Sequence, residues 1–120
     1  MKQATLGYLI ERFERLDPDK SVRFDFVYFK PDPKRVHSYR GYYEQLALGY
    51  SDDGDPTVAQ VLESLRNADG NTFTGYKGGE YTMHPGTHVW VANHNESGGT
   101  AVVDVRDDGW VVTIITACVD

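Results

Sequence analysis

Residues 100–117 read TAVVDVRDDGWVVTIITA, with two runs of mostly β-branched residues on either side of Asp108-Gly109. An aspartate–glycine pair favours a two-residue hairpin turn, because both positions tolerate positive φ. Such a turn predicts an antiparallel hairpin with one face in the core. The pairs in this register are Val105 with Val112, Val103 with Ile114 and Ala101 with Thr116.

The run from Thr87 to His94 predicts a further strand beside this hairpin. Its alternation places Val89 and Val91 on the core face. The opposite face would then collect polar and aromatic side chains from two strands. We expect this second face to meet a ligand or a partner, and its members are His88, Trp90, His94, Val102, Asp104 and Arg106.

The first half of the chain predicts two helices and two strands. Apolar residues at three- and four-residue steps indicate an amphipathic helix over Thr5 to Asp17. Alternation from Val22 to Tyr28 indicates a strand that Pro31 and Pro33 end, with residues 31–36 as a connector.

Alternating Leu46, Leu48 and Tyr50 indicate a short strand after this connector. Asp55 as the cap and Pro56 in the first turn predict the start of a second helix that stops at Gly70. Residues 71–86 form a glycine-rich aromatic loop. The chain is thus predicted as one α+β domain, residues 1–120, with a mostly antiparallel sheet and two helices packed on one face.

The overall charge limits the classes of partner. Net charge is −6 and the isoelectric point is near 5.1, which disfavours a long nucleic acid. A small anion needs only one or two local cations, and Arg40, Lys77 and Arg106 are candidates. The lone Cys118 allows no internal disulfide, and no signal peptide or membrane span of about 20 apolar residues is present, which predicts a cytoplasmic protein.

Residues 37–44, HSYRGYYE, gather three tyrosines and an arginine around Gly41 in a loop setting. The guanidinium of Arg40 suits phosphate, and the rings of Tyr39, Tyr42 and Tyr43 suit the faces of bases. Tyrosine-rich loops also serve as lids over a core or as protein interfaces, so both interpretations stay open.

The histidines do not form a convincing catalytic or metal site in the sequence. His84 and His88 have the spacing of helical zinc ligands, but Pro85 and Gly86 between them oppose a helix. His88 and His94 as an acid–base pair would lie about 20 Å apart on one strand. We therefore predict no metal, no cofactor and no enzymatic activity.

Three segments together, SYRGYYEQLA at 38–47, TFTGYKGGEYTM at 72–83 and VWVAN at 89–93, resemble small bacteriophage proteins. The chain is similar to the phage anti-CBASS sponge proteins, which bind the cyclic oligonucleotide signals of bacterial CBASS defence without cleaving them. The resemblance implies capture of a cyclic dinucleotide or trinucleotide in the host cytoplasm, and a homo-oligomer with ligand between subunits.

Side-chain chemistry then suggests the contacts within such a site. Arg40 and Lys77 would bind phosphate, a tyrosine would stack on a base, and Asn93 would read a base edge. The expected ligand-binding residues are Tyr39, Arg40, Tyr42, Tyr43, Tyr76, Lys77, Trp90, Asn93 and Arg106. Two alternatives remain: a phage protein-interaction module that acts on a host or phage protein, and a small phosphodiesterase that uses the histidines.

Overall fold

The computed structural model describes residues 2–26, 29–75, 77–92 and 99–119. Within these ranges the chain forms two helices and eight strands. In chain order they are α1 (Leu6–Glu14), β1 (Ser21–Phe24), β2 (Lys30–Ser38), β3 (Leu46–Ser51), α2 (Val58–Ala68), β4 (Thr72–Thr74), β5 (Glu80–Thr82), β6 (Val89–Val91), β7 (Gly99–Asp107) and β8 (Val111–Val119).

Six of these strands form one mixed sheet in the order β1-β8-β7-β6-β3-β2, and β4 pairs with β5 separately. The pairs β2–β3, β6–β7 and β7–β8 are antiparallel, whereas β1–β8 and β3–β6 are parallel. The α+β class with two helices and a mostly antiparallel sheet is confirmed. The parallel pair β3–β6 arises because α2 and the β4–β5 hairpin carry the chain back across the sheet.

The sheet curls until it is nearly a barrel. The backbone N–H of Phe24 in β1 donates to the carbonyl of Phe29, just before β2, over 3.0 Å. The two edge strands of the sheet therefore approach each other where the chain passes from β1 to β2.

Side chains alternate between two buried clusters on opposite faces of the strands. The first cluster takes Leu46, Leu48, Val89 and Val91 together with the apolar stripes of α1 and α2. The second cluster takes residues that alternate with these along the strands, and it is rich in small side chains. Its buried members are Tyr39, Ala47, Trp90, Ala92, Ala101 and Val103. That both helices pack on one face of the sheet stays a prediction.

The N-cap of α2 differs from the prediction. Thr57 is the N-cap, and its side chain and that of Gln60 form a reciprocal capping box. Asp55 is therefore not the cap, and the helix begins two residues after Pro56. The predicted stop is confirmed, because Gly70 follows the C-cap with φ of +79°.

The register of the β7–β8 hairpin differs from the prediction by two residues next to the turn and by one residue at Ala101, which faces Ala117. Val105 faces Ile114 and Asp107 faces Val112, so the connection spans Asp108 to Trp110, with Gly109 at φ +88°. A bulge between Val102 and Asp104 then reverses the alternation, which sends Val102 to the first cluster and Val103 to the second. The predicted pairs Val105–Val112, Val103–Ile114 and Ala101–Thr116 are therefore wrong.

Two predicted loops contain strands. Residues 31–36 lie within β2, which is an edge strand whose register shifts between Pro31 and Val36, so the prolines are tolerated there. The glycine-rich region 71–86 contains β4 and β5. The predicted strand ends at Tyr28 and His94 lie outside the described residues.

A candidate ligand-binding surface

Two distant aromatic residues stack on the second face of the sheet. The rings of Tyr39 and Trp90 lie 4.6 Å apart at an interplanar angle of 3°. They are 8% and 5% exposed. The pairing of β3 with β6 brings them together, because Ala47 of β3 faces Trp90 of β6 while Tyr39 directly follows β2. The ring faces that Tyr39 and Trp90 turn toward each other are therefore occupied.

Small residues make room for this stack. A Cβ atom at Gly99 would lie 2.7 Å from the Tyr39 hydroxyl oxygen and would also collide with the indole ring of Trp90. A Cβ atom at Gly41 would lie 2.7 Å from Tyr39 Cε2. The glycines at these two positions permit the close approach of the rings.

Hydrogen bonds fix the loop that carries the tyrosines. The Tyr39 N–H donates to the carbonyl of Gln45 over 2.7 Å, and the Gln45 N–H donates to the carbonyl of Tyr42 over 2.9 Å. The indole N–H of Trp90 donates to Oε1 of the Gln45 side chain. Gln45 thus ties the loop to the stacked pair at both backbone and side chain.

Tyr42 sits at the edge of the stack and presents its ring to solvent. It is 53% exposed, and its ring centroid lies 6.3 Å from that of Tyr39 and 5.8 Å from that of Trp90. We call Tyr39, Tyr42 and Trp90 the aromatic platform. Burial, together with the neighbouring Tyr42, raises the pKa of the Tyr39 phenol, which is therefore uncharged at neutral pH.

Tyr43 turns away from the platform and joins the loop to the β4–β5 hairpin. Its ring centroid lies 5.9 Å from that of Tyr81 in β5. The backbone at Gly75, after β4, approaches both rings, since a Cβ there would lie 2.8 Å from Tyr81 Cε2 and 3.3 Å from Tyr43 Cγ. The loop and the hairpin are therefore neighbours in space.

The predicted cations fall into two places. Arg40 is exposed in the loop of residues 39–45, which we call the platform loop, and Lys77 is exposed in the β4–β5 connection, two residues after Gly75. Arg106 instead lies five residues along β7 from Ala101, the partner of Trp90, which is roughly 15 Å away. Its guanidinium bonds Asp108 over 2.7 Å, so Arg106 is not part of the platform.

The predicted second face is divided in the structure. Trp90 belongs to the platform, whereas Asp104 accepts a 2.7 Å hydrogen bond from the Tyr8 hydroxyl of α1. Desolvation opposes ionisation of Asp104, but hydrogen bonds from Tyr8 and the Val105 N–H and the charge of Arg12 outweigh it and lower its pKa. Tyr76 and Asn93, the remaining predicted contacts, lie outside the described residues.

A groove that the sequence reasoning missed opens between the platform loop and the chain after β5. It has a volume of about 320 Å³ and brings His84 and His88 near Glu44 and Glu80. The Gly86 N–H donates to His84 Nδ1 over 3.0 Å, so a Pro-Gly turn rather than a helix places both histidines here. The four-residue spacing of His84 and His88 was the feature of the sequence that could have indicated this groove.

A larger groove of about 580 Å³ lies between α2 and β2. Four carboxylates and one lysine line it, which makes it a poor site for an anion. Its charged residues are Asp32, Lys34, Asp53, Asp55 and Glu63.

Among the described residues, no group of three or more His, Cys, Asp or Glu side chains is placed to hold a metal ion. Neither helix of the described chain is long and apolar enough to cross a bilayer. No protein-family model matches the sequence, and no curated protein and no solved structure is significantly similar to it.

Proposed function

We propose that this protein binds a small phosphorylated ligand at the platform loop and sequesters it without chemical change. The observation that carries the proposal is the exposed ring of Tyr42, held at the edge of a buried stack with Arg40 two residues away. An aromatic face beside a guanidinium suits a nucleotide, since the ring stacks on the base and the cation contacts the phosphate.

The three platform residues have different roles in this proposal. Tyr39 and Trp90 turn their faces to each other, so they hold the surface rigid while Tyr42 makes the contact with the base. A rigid surface lowers the entropy lost on binding. Tyr43 is assigned to fixing the β4–β5 hairpin, whose Lys77 supplies a second cation. Side-chain chemistry alone supports Tyr76 and Asn93 as ligand contacts. Arg106 is not among the proposed contacts.

The ligand class follows from the resemblance to phage anti-CBASS sponges and from charge. A net charge of −6 repels a long polyanion, whereas a cyclic dinucleotide or trinucleotide carries only two or three phosphates. We propose such a cyclic oligonucleotide as the ligand, captured in the host cytoplasm during infection. Capture alone would keep the signal from its effector.

A thermal-shift screen with cyclic dinucleotides and trinucleotides tests the proposal. A ligand at 100 times its dissociation constant adds about 2.7 kcal/mol to the free energy of unfolding. We expect a shift with at least one member and none with linear single-stranded DNA. Absence of a shift with every member contradicts the proposal.

A second measurement separates binding from cleavage. The complex is denatured, and the released ligand is analysed by mass spectrometry. An intact cyclic ligand supports sequestration, whereas a linear product would assign the groove of His84 and His88 to a phosphodiesterase.

A protein-interaction module is the second candidate, and the 53% exposure of the Tyr42 ring favours it, because tyrosine is enriched among the residues that anchor protein interfaces. This candidate predicts no response to nucleotides and loss of a host or phage protein partner on Tyr42→Ala. Both candidates therefore use the aromatic platform, and they differ in the molecule that binds there.

A further inference from the structure

The groove of about 320 Å³ beside the platform loop takes no part in the sequestration proposed above. Its volume is at the lower end of the range of about 300–1,000 Å³ that is usual for small-molecule pockets. It therefore has room for one base of a cyclic oligonucleotide rather than for the whole molecule. We call it the histidine groove, and the lining residues that matter here are Glu44, Gln45, Glu80, His84, Thr87 and His88.

The histidine groove and the aromatic platform share a wall. Gln45 lines the groove, and its side chain accepts the indole N–H of Trp90. Glu44, which also lines the groove, lies two residues after Tyr42 in the platform loop. The Cα atoms of Tyr42 and Glu44 are therefore at most about 7 Å apart. A ligand that stacks on Tyr42 lies within reach of the groove.

A tight turn holds the imidazole of His84 in one tautomer. The Nδ1 atom of His84 accepts the Gly86 N–H over 3.0 Å. The His84 N–H donates to the Thr87 hydroxyl over 2.9 Å, and the Thr87 N–H donates to the His84 carbonyl over 2.9 Å. A neutral imidazole that accepts a hydrogen bond at Nδ1 carries its proton at Nε2. His84 therefore gives the groove a hydrogen-bond donor in a defined position.

The carboxylates of the histidine groove make it better suited to a base than to a phosphate. Glu44 and Glu80 line the groove, and an ionised carboxylate only accepts hydrogen bonds. Two negative charges repel the phosphates of a ligand. The phosphates therefore stay at the cations of the proposed site, Arg40 and Lys77.

Guanine is the base whose hydrogen-bonding edge matches these groups. It presents N1–H and N2–H side by side, and both can donate to the two oxygens of one carboxylate. Its O6, next to N1–H, can accept from a donor such as His84 Nε2. Adenine instead places the lone pair of N1 beside its amino group, and that lone pair would face the carboxylate. Cytosine and uracil also lack two adjacent donors.

We propose that the histidine groove receives a guanine base, whose N1–H and N2–H donate to Glu44 and whose O6 accepts from His84. Glu44 is assigned rather than Glu80 because it belongs to the platform loop, close to the ring of Tyr42 on which the other base stacks. The inference rests on the proposed function and specifies its ligand as a cyclic oligonucleotide that contains at least one guanine.

Isothermal titration with cyclic di-GMP, cyclic GMP–AMP, cyclic di-IMP and cyclic di-AMP tests the inference. Cyclic di-IMP differs from cyclic di-GMP only by the loss of the two exocyclic amino groups. We expect the two guanine-containing ligands to bind about 5- to 150-fold more tightly than cyclic di-AMP, as one bidentate base contact provides. The affinity of cyclic di-IMP should lie between these values, because hypoxanthine keeps N1–H and lacks N2–H.

Variants of the groove test which side chains read the base. Glu44→Gln should reduce the affinity for cyclic di-GMP to about that for cyclic di-AMP, because an amide offers one acceptor oxygen in place of two. His84→Ala should weaken cyclic di-GMP more than cyclic di-AMP. Neither variant should abolish binding of cyclic di-AMP, which a damaged fold would do.

The matched control is Glu63→Gln, which makes the same change of charge at an exposed glutamate of α2 in the larger groove. It should leave the affinity for every ligand unchanged. Circular dichroism confirms that each variant is folded.

The possible failures are distinguishable. If cyclic di-AMP binds as tightly as cyclic di-GMP, the inference is wrong while sequestration stands. A preference for guanine that survives Glu44→Gln also overturns it, because another group then reads the base. Absence of binding by all four dinucleotides overturns the inference as well, and the trinucleotides of the thermal-shift screen then decide whether the proposed function stands.

Discussion

The two tryptophans of this chain sit in opposite surroundings. Trp90 is stacked on Tyr39, its N–H is bonded to Gln45, and Gly99 leaves room for its ring. Trp110 projects from a hairpin connection into solvent. The contrast shows that the residue type alone does not assign a role. Trp90 stabilises the fold, whereas Trp110 lies in solvent.

The largest expected effect is the difference in stability between the alanine variants of the two tryptophans. Trp90→Ala should lower the free energy of unfolding by about 3–5 kcal/mol, because it leaves a cavity in the second cluster. Trp110→Ala should change the stability of the monomer by less than about 0.5 kcal/mol. Urea denaturation at low protein concentration measures both. Equal losses would contradict the division of roles.

A smaller loss is expected when the space beside Trp90 is filled. Gly99→Ala places a methyl group against Trp90 and the Tyr39 hydroxyl, so one of the rings must shift. The expected cost is about 1–3 kcal/mol. Urea denaturation gives the cost, and a red shift of Trp90 fluorescence in the Trp110→Phe background reports the movement. An unchanged emission maximum would mean that the stack accommodates the methyl group.

The hydrogen bond of the indole can be tested by itself. Gln45→Met keeps the approximate length of the side chain but removes the acceptor for the Trp90 N–H. A buried donor without a partner costs about 1–3 kcal/mol, and we expect a value near the lower limit because the neighbouring loop can admit water. Denaturation in urea measures the loss. If Gln45→Met is as stable as the parent, the bond does not anchor the loop.

The smallest expected effect is on the loss of stability at acidic pH. The platform contains no carboxylate, whereas Asp104 of β7 has a pKa lowered below the ordinary value of 3.8, because hydrogen bonds from Tyr8 and the Val105 N–H and the charge of Arg12 outweigh its desolvation. A lowered folded pKa gives stability that is present above 3.8 and lost as pH falls through the folded pKa. Asp104→Asn should therefore flatten the decline of stability below about pH 4.

Titration of the unfolding midpoint from pH 6 to pH 2 checks this expectation. Asp104 is partly exposed, so screening keeps the difference below about 1 kcal/mol. Tyr8→Phe, which removes the hydrogen bond to the same carboxylate, should flatten the curve in the same direction. A parallel curve for Asp104→Asn would show that this carboxylate does not contribute to acid sensitivity.

The sequence predicted the class of the fold better than its register. Apolar periodicity gave both helices and the strands around Val89, Val102 and Val112, because burial of one face is a local property of the pattern. The turn at Asp108-Gly109 is longer than predicted. The Thr113 hydroxyl donates to Asp108 and the Gly109 N–H to Asp107, and these contacts accompany a three-residue connection that the two-residue rule does not consider.

The candidate site was predicted as a set of residues and not as an arrangement. Tyr39 and Trp90 were both expected to contact ligand, yet they stack on each other, because a parallel pairing of β3 with β6 joins residues 43 positions apart, such as Ala47 and Trp90. Such pairings depend on the whole topology and leave no local signal. The histidine groove was missed for the same reason, since its wall at Glu44 belongs to the platform loop.

Isothermal titration of the parent chain and two tyrosine variants tests the central claim most directly. The titrant is the cyclic oligonucleotide that gives the largest thermal shift. Tyr42→Ala should weaken binding about 5- to 150-fold, as removal of about 1–3 kcal/mol of base stacking requires. Tyr8→Ala, which removes another exposed tyrosine on α1, should bind as the parent does. Equal affinity of the Tyr42→Ala variant and the parent chain, or no binding by the parent, would contradict a nucleotide site at the aromatic platform.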